Sequence, residues 1–179
     1  MGKLILVTGG TRSGKSGFAQ NLAESMTGPR YFVATCPKVD PEMDERIRRH
    51  QQMRGEGDWR TIEEEIDLGG IFNRMEGANV CLVDCLTLWV NNLLFQKEQS
   101  QEGLNEDILR KYCREFIEQT QRFSGTTICV TGEVGMGIVP ENAAARLYRD
   151  LVGCCNQVIA QAANEVVLVS CGIPLVLKK

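Results

Sequence analysis

Histidine is almost missing from this chain: one residue, His50, in 179. Eight cysteines are present, but no two form a Cys-x-x-Cys pair. The common zinc frameworks draw four closely spaced Cys and His ligands, so both shortages weigh against a zinc site. No apolar run approaches the ~20 residues that a membrane-crossing helix needs. The first apolar run stops at once in glycines, without the cleavage pattern of a secretory leader. A cytoplasmic protein with free thiols is therefore expected, and a disulfide framework is disfavoured. Basic excess is missing too. With 20 Lys and Arg against 23 Asp and Glu the net charge is −3, which argues against broad nucleic-acid binding. There is no Asn-Lys-x-Asp guanine-reading motif, no internal repeat and no linker.

What is present suits one domain over residues 1–179. Hydrophobic residues make up 43% and charged residues 24%, a globular balance with enough chain for a real core. The organising stretch is Gly9-Gly10-Thr11-Arg12-Ser13-Gly14-Lys15-Ser16. It follows the apolar run Leu4-Ile5-Leu6-Val7, which reads as a buried parallel strand, and precedes Phe18-Ala19-Gln20-Asn21-Leu22-Ala23, which has helical spacing. Strand, glycine loop with Gly-Lys-Ser, then helix is the context of a phosphate-binding loop. Its backbone N–H groups would surround an anion at a helix N-terminus. Lys15 would reach the β- and γ-phosphates, and the Ser16 hydroxyl would ligate Mg²⁺.

The rest of the chain alternates strands and helices. A second strand, 30–36, ends in Ala34, Thr35 and Cys36, which should lie near the nucleotide because ligands sit beyond strand carboxyl ends. Asp40-Pro41-Glu42 starts a helix to about Arg54 that is rich in arginine. On it His50 is either a partly buried ring on an apolar stripe or a ring held beside a polyphosphate. Residues 59–63 suggest a short strand and 64–74 a helix weakened by Gly69-Gly70. Glu63 is a polar contact near the site or a solvated acid. The run 79–84 ends in Asp84, which is a Mg²⁺ carboxylate or a helix N-cap. A helix from Leu86 follows, then a polar loop over 96–105, an amphipathic helix over 106–123 and a strand over 126–131. The Gly-rich segment 132–142 is a substrate-binding loop or a surface connection. Residues 142–164 read as helix, with a bend or a close contact at Gly153. Two closing strands, 165–171 and 174–177, read as an antiparallel edge hairpin. The expected fold is α/β, a P-loop NTPase-like domain with a mostly parallel central sheet. The residues alone leave open a small-molecule transferase, a motion-coupled hydrolase or a GTP-controlled switch.

Four segments together carry a resemblance. They are 7–16, Ala34-Thr35, Arg46-Ile47-Arg48-Arg49-His50 and Glu133-Val134-Gly135-Met136-Gly137-Ile138-Val139-Pro140-Glu141-Asn142. The tail pieces 149–157 and 172–175 also match. The chain resembles the bifunctional adenosylcobinamide kinase/adenosylcobinamide-phosphate guanylyltransferase family over nearly its whole length. The resemblance implies phosphorylation of adenosylcobinamide by ATP or GTP, then transfer of GMP from GTP to that phosphate. It implies that His50 carries GMP covalently and that Lys15 is catalytic. It implies that Gln51, Gln52, Met53, Arg54 and Glu63 contact the guanine nucleotide, and that the chain assembles as a homo-oligomer, a trimer by analogy. Two departures stand out: Gly132 replaces a frequent Asn, and Asp84 stands where some members have Glu.

Overall fold

The computed structural model describes residues 2–37 and 59–179. The expected helix ending near Arg54, with His50, Gln51, Gln52 and Met53, and the turn at 55–58 lie outside the described residues. The elements in chain order are β1 (Lys3–Thr8), α1 (Lys15–Glu24), β2 (Arg30–Ala34), β3 (Trp59–Glu63), a 3₁₀ turn (Gly70–Arg74), β4 (Val80–Asp84), α2 (Leu86–Gln99), α3 (Glu106–Arg122), β5 (Thr126–Val130), a second 3₁₀ turn (Val134–Met136), α4 (Ala143–Ala162), β6 (Glu165–Ser170) and β7 (Ile173–Lys178).

The strands form one seven-stranded sheet in the order β3-β2-β4-β5-β1-β6-β7. All pairings are parallel except β6 with β7. Near-continuous apolar runs such as Leu4 to Val7 suit strands covered on both faces. Successive side chains alternate between those faces. Ile5, Val7, Phe32, Leu82, Ile128 and Val130 pack with Ala19 and Ala23 of α1. Leu4, Leu6, Val33, Cys81, Val83 and Cys129 pack instead with Trp89 of α2, Phe116 of α3 and Leu151 of α4. Among the described residues one helix therefore covers one face and three cover the other.

All eight cysteines are free. Burial raises the thiol pKa of Cys81 and of Cys129, so they pack as small hydrophobes. The expected edge hairpin is β6–β7. Three expectations are corrected. The segment expected as a loop from Gln96 begins as helix, because α2 continues through Gln99; Gln, Lys and Glu are good helix formers. Over 64–74 only Gly70–Arg74 is helical. Before it, Glu64 Oε1 accepts the Ile66 and Asp67 N–H groups and Asp67 Oδ1 accepts that of Gly70, side-chain bonds that compete with a helix. At Gly153 no tight contact forms: α4 runs unbroken, and an added Cβ would meet no atom of the described residues within 4 Å.

That open space makes Gly153→Ala a stabilising change, by about 1 kcal/mol, from helix propensity alone. Urea unfolding should show a higher midpoint at unchanged slope; an unchanged midpoint would contradict the open environment.

Candidate nucleotide site

β1 ends at Thr8 and α1 begins at Lys15, so residues 9–14 form the turn between them. The turn is tightly held. A Cβ at Gly9 would lie 2.4 Å from the Val169 carbonyl oxygen. Gly14 has φ +92° and caps α1, and a Cβ there would lie 3.2 Å from Gly172 Cα. The Gly172 N–H donates to Ser13 O at 2.8 Å, so the β6–β7 turn braces the loop. The first turn of α1 has neither a side-chain cap nor an acidic residue. Its orphan N–H groups and positive dipole end remain available to an anion. Lys15 Nζ donates to Gly10 O at 3.1 Å, which places the ammonium on the loop. Among the described residues Ser13 Oγ is buried with no hydrogen-bond partner. Thr11 and Arg12 are exposed, and Ser16 is half-buried.

The sheet register sets the other side. Glu63 pairs with Ala34, Ala34 with Asp84, Asp84 with Val130, and Val130 with Val7. These residues share one row, and by strand alternation they share the α1 face, the face the loop turns onto. At ~4.8 Å per strand, the Asp84 backbone stands about 10 Å from Val7 and about 10 Å from Glu63. Thr35 is fully buried. Its hydroxyl donates to Cys85 O and accepts the Cys85 N–H, each at 2.8 Å, and its carbonyl accepts from Asn92 Nδ2 at 2.8 Å. The Thr35 side chain thus ties the end of β2 to the residue after Asp84. Cys36 is half-buried beside Pro37. The Cys85 thiol is pushed up to about 11 by burial and by the Asp84 carboxylate, so it is neutral at physiological pH and a poor nucleophile. Asp84 is not the N-cap of α2; Cys85 holds that position, with no side-chain cap bond.

Sequence reasoning missed a polar network beside the loop. Thr8 Oγ1 donates to Glu133 Oε1 at 2.5 Å, and Asn156 Nδ2 approaches the same oxygen at 3.5 Å. Asn156 also donates to Gly132 O and accepts from Thr131 Oγ1. Glu133 N–H donates to Gly9 O at 3.2 Å. A buried Asn on the core side of α4 was the available sequence signal. The 132–142 loop is anchored further by Arg149 to Gly135 O and Arg146 to Pro140 O. At Gly132 the N–H donates to Thr87 Oγ1 at 2.8 Å; an added Cβ would lie 3.3 Å from that oxygen.

Thr35→Val keeps the volume but leaves Cys85 N–H and C=O without their hydroxyl partner. It should cost about 1–3 kcal/mol of stability, read by urea unfolding as a lower midpoint.

A family model described as cobinamide kinase / cobinamide phosphate guanyltransferase matches residues 5–177. The bifunctional adenosylcobalamin biosynthesis protein CobU of Escherichia coli (strain K12) is 40% identical over 182 residues, covering 98% of this chain and 99% of that protein. The bifunctional adenosylcobalamin biosynthesis protein CobP of Pseudomonas aeruginosa is 37% identical over 175 residues, covering 97% and 96%. A solved structure of a prototypical ATPase from the type III secretion system of pathogenic bacteria superposes with a TM-score of 0.58 at 11% identity. It covers 94% of this chain and 51% of that one, a likeness of fold alone. Loop, register and a match over almost the full length agree, and the chain belongs to the cobinamide kinase / cobinamide phosphate guanylyltransferase family.

Proposed function

We propose that this protein phosphorylates adenosylcobinamide with a nucleoside triphosphate and then transfers GMP from GTP to the new phosphate, releasing pyrophosphate. The observation that carries the reading is the braced loop with Lys15 at its mouth, on the sheet face that also carries Asp84 and Glu63. In the first step the loop N–H groups from Gly9 to Ser16 and the Lys15 ammonium hold the triphosphate, with Arg12 at the exposed rim, while the aminopropanol hydroxyl attacks the γ-phosphorus. Positioning and charge stabilisation supply most of the rate.

In the second step the His50 imidazole attacks the α-phosphorus of GTP and carries GMP to the corrinoid phosphate. Two displacements replace one, as covalent catalysis requires. Gln51, Gln52, Met53, Arg54 and Glu63 are assigned to the guanine nucleotide, with Ala34, Thr35 and Cys36 supporting the site wall. Ser16 and Asp84 are hard oxygen donors of the kind Mg²⁺ takes beside phosphate, so they fit that ion and would hold it. When bound, the ion offsets phosphate charge. Among the described residues no cluster of three or more His, Cys, Asp and Glu forms, and a Mg²⁺ that keeps waters and phosphate oxygens needs none.

No helix among the described residues is long and apolar enough to cross a membrane. Eight free thiols fit a cytoplasmic setting. A homo-oligomer is supported by β7, whose Ile173, Leu175, Val176 and Leu177 are all exposed at the sheet edge; such an edge calls for cover. Light scattering after size exclusion reads the assembly.

With GTP labelled at the α-phosphate, the wild type should acquire an acid-labile, base-stable label that His50→Asn lacks, while His50→Asn keeps cobinamide phosphorylation. Lys15→Ala should lose both steps, since both seat a triphosphate in one loop. A wild type that releases only GDP and phosphate, with no adduct and no corrinoid product, would favour a nucleotide switch instead.

A further inference from the structure

We infer that Glu133 is the general base of the kinase step: its carboxylate takes the proton of the acceptor hydroxyl as that oxygen attacks the γ-phosphorus. This inference rests on the kinase reading above.

Glu133 stands three residues beyond Val130, the end of β5, and β5 lies between the strand that enters the phosphate loop and the strand that ends in Asp84. Its backbone N–H is bonded to Gly9 O, so the residue is fixed against the start of that loop. It is half-buried. Both side-chain contacts converge on one oxygen: Thr8 Oγ1 and Asn156 Nδ2 approach Oε1. Among the described residues Oε2 has no hydrogen-bond partner, and no Lys or Arg pairs with the carboxylate. One oxygen orients the group and the other is left to act.

The segment that follows supports an acceptor on this side. Met136, Ile138 and Val139 are 77%, 96% and 62% exposed, in a loop held to α4 by Arg146 and Arg149. An anchored apolar loop next to the Glu133 carboxylate suits an acceptor with a large apolar body and a hydroxyl-bearing arm. The step balances. The acceptor oxygen forms a bond to the γ-phosphorus, the bond from that phosphorus to the β–γ bridging oxygen breaks, the nucleoside diphosphate leaves with the electron pair, and the hydroxyl proton passes to Oε2. Phosphoryl transfer uses a carboxylate in this way to position and deprotonate an attacking hydroxyl.

Glu133→Gln is the sharp variant, because its amide oxygen can keep the Thr8 and Asn156 contacts while Oε2 becomes an NH₂ group. Cobinamide phosphorylation should fall roughly 10²–10³-fold in kcat, with KM for cobinamide nearly unchanged. Nucleotide binding, and GMP transfer to supplied cobinamide phosphate, should stay near wild type. Glu133→Asp should recover part of the kinase rate. Kinase activity within a few-fold of wild type overturns the inference, and so does loss of both steps in a folded variant, which marks a merely structural residue. Should Glu133→Gln fail to fold, Glu133→Ala titrated with formate takes its place: formate-dependent return of the kinase step supports the base, and no return overturns it. Wild-type protein that cannot phosphorylate cobinamide at all refutes the kinase reading itself, which separates that failure from this one.

Discussion

A methyl group at Gly9 would stand 2.4 Å from the Val169 carbonyl oxygen, and one at Gly14 3.2 Å from Gly172 Cα. The phosphate loop is thus seated against the carboxyl end of β6 and the turn that follows it. An anion-binding loop works by pointing several N–H groups at one place, and ordering that backbone costs about 1–2 kcal/mol per residue. Contacts made before ligand arrives meet part of that cost in folding. The antiparallel β7 makes sense on these terms. A parallel strand would need a crossover after β6; a hairpin instead sets a tight turn, Cys171-Gly172, against Ser13.

The same constraint explains why the site's parts come from distant stretches of chain. Parallel strands all bring their carboxyl ends to one side of the sheet, and alternation then sorts each final residue to a face. Asp84, Ala34 and Glu63 reach the α1 face because each is an even number of residues from a side chain already packed on that face, as with Leu82, Phe32 and Trp59. Thr35, one residue beyond Ala34, faces the other way. It is buried and spends its hydroxyl on Cys85. A one-residue slip in β2 would exchange those roles.

Legibility in the sequence follows range. The loop is a local pattern, so its strand, turn and helix could be read directly, as could the hairpin and the amphipathic α3. Asn142 and Asn105 cap α4 and α3, each accepting an N–H of the first turn. What could not be read joins remote positions: Thr8 to Glu133 across 125 residues, or Gly172 to Ser13. The helix ending of α2 was missed because Gln, Lys and Glu are common both to loops and to exposed helical turns. The stretch 64–69 was missed because side-chain bonds from Glu64 and Asp67 outcompete a helix there. Gly153 suggests a bend or a close contact from its helix propensity alone, whereas no close contact forms there.

In the proposed reading, geometry also divides the work between the two reactions. Glu133 follows the end of β5 by three residues, and the end of β5 stands three strand spacings from the end of β3, which carries Glu63. Those two strand ends are about 15 Å apart between backbones. In the proposed reading the acceptor lies on the β5 side and the guanine nucleotide toward the β3 side. Lys15 and the loop amides are then the shared apparatus, and the flanking loops hold the specificity. Substitutions in the cradle should therefore couple the two activities, whereas substitutions at Glu133 and at Glu63 should separate them.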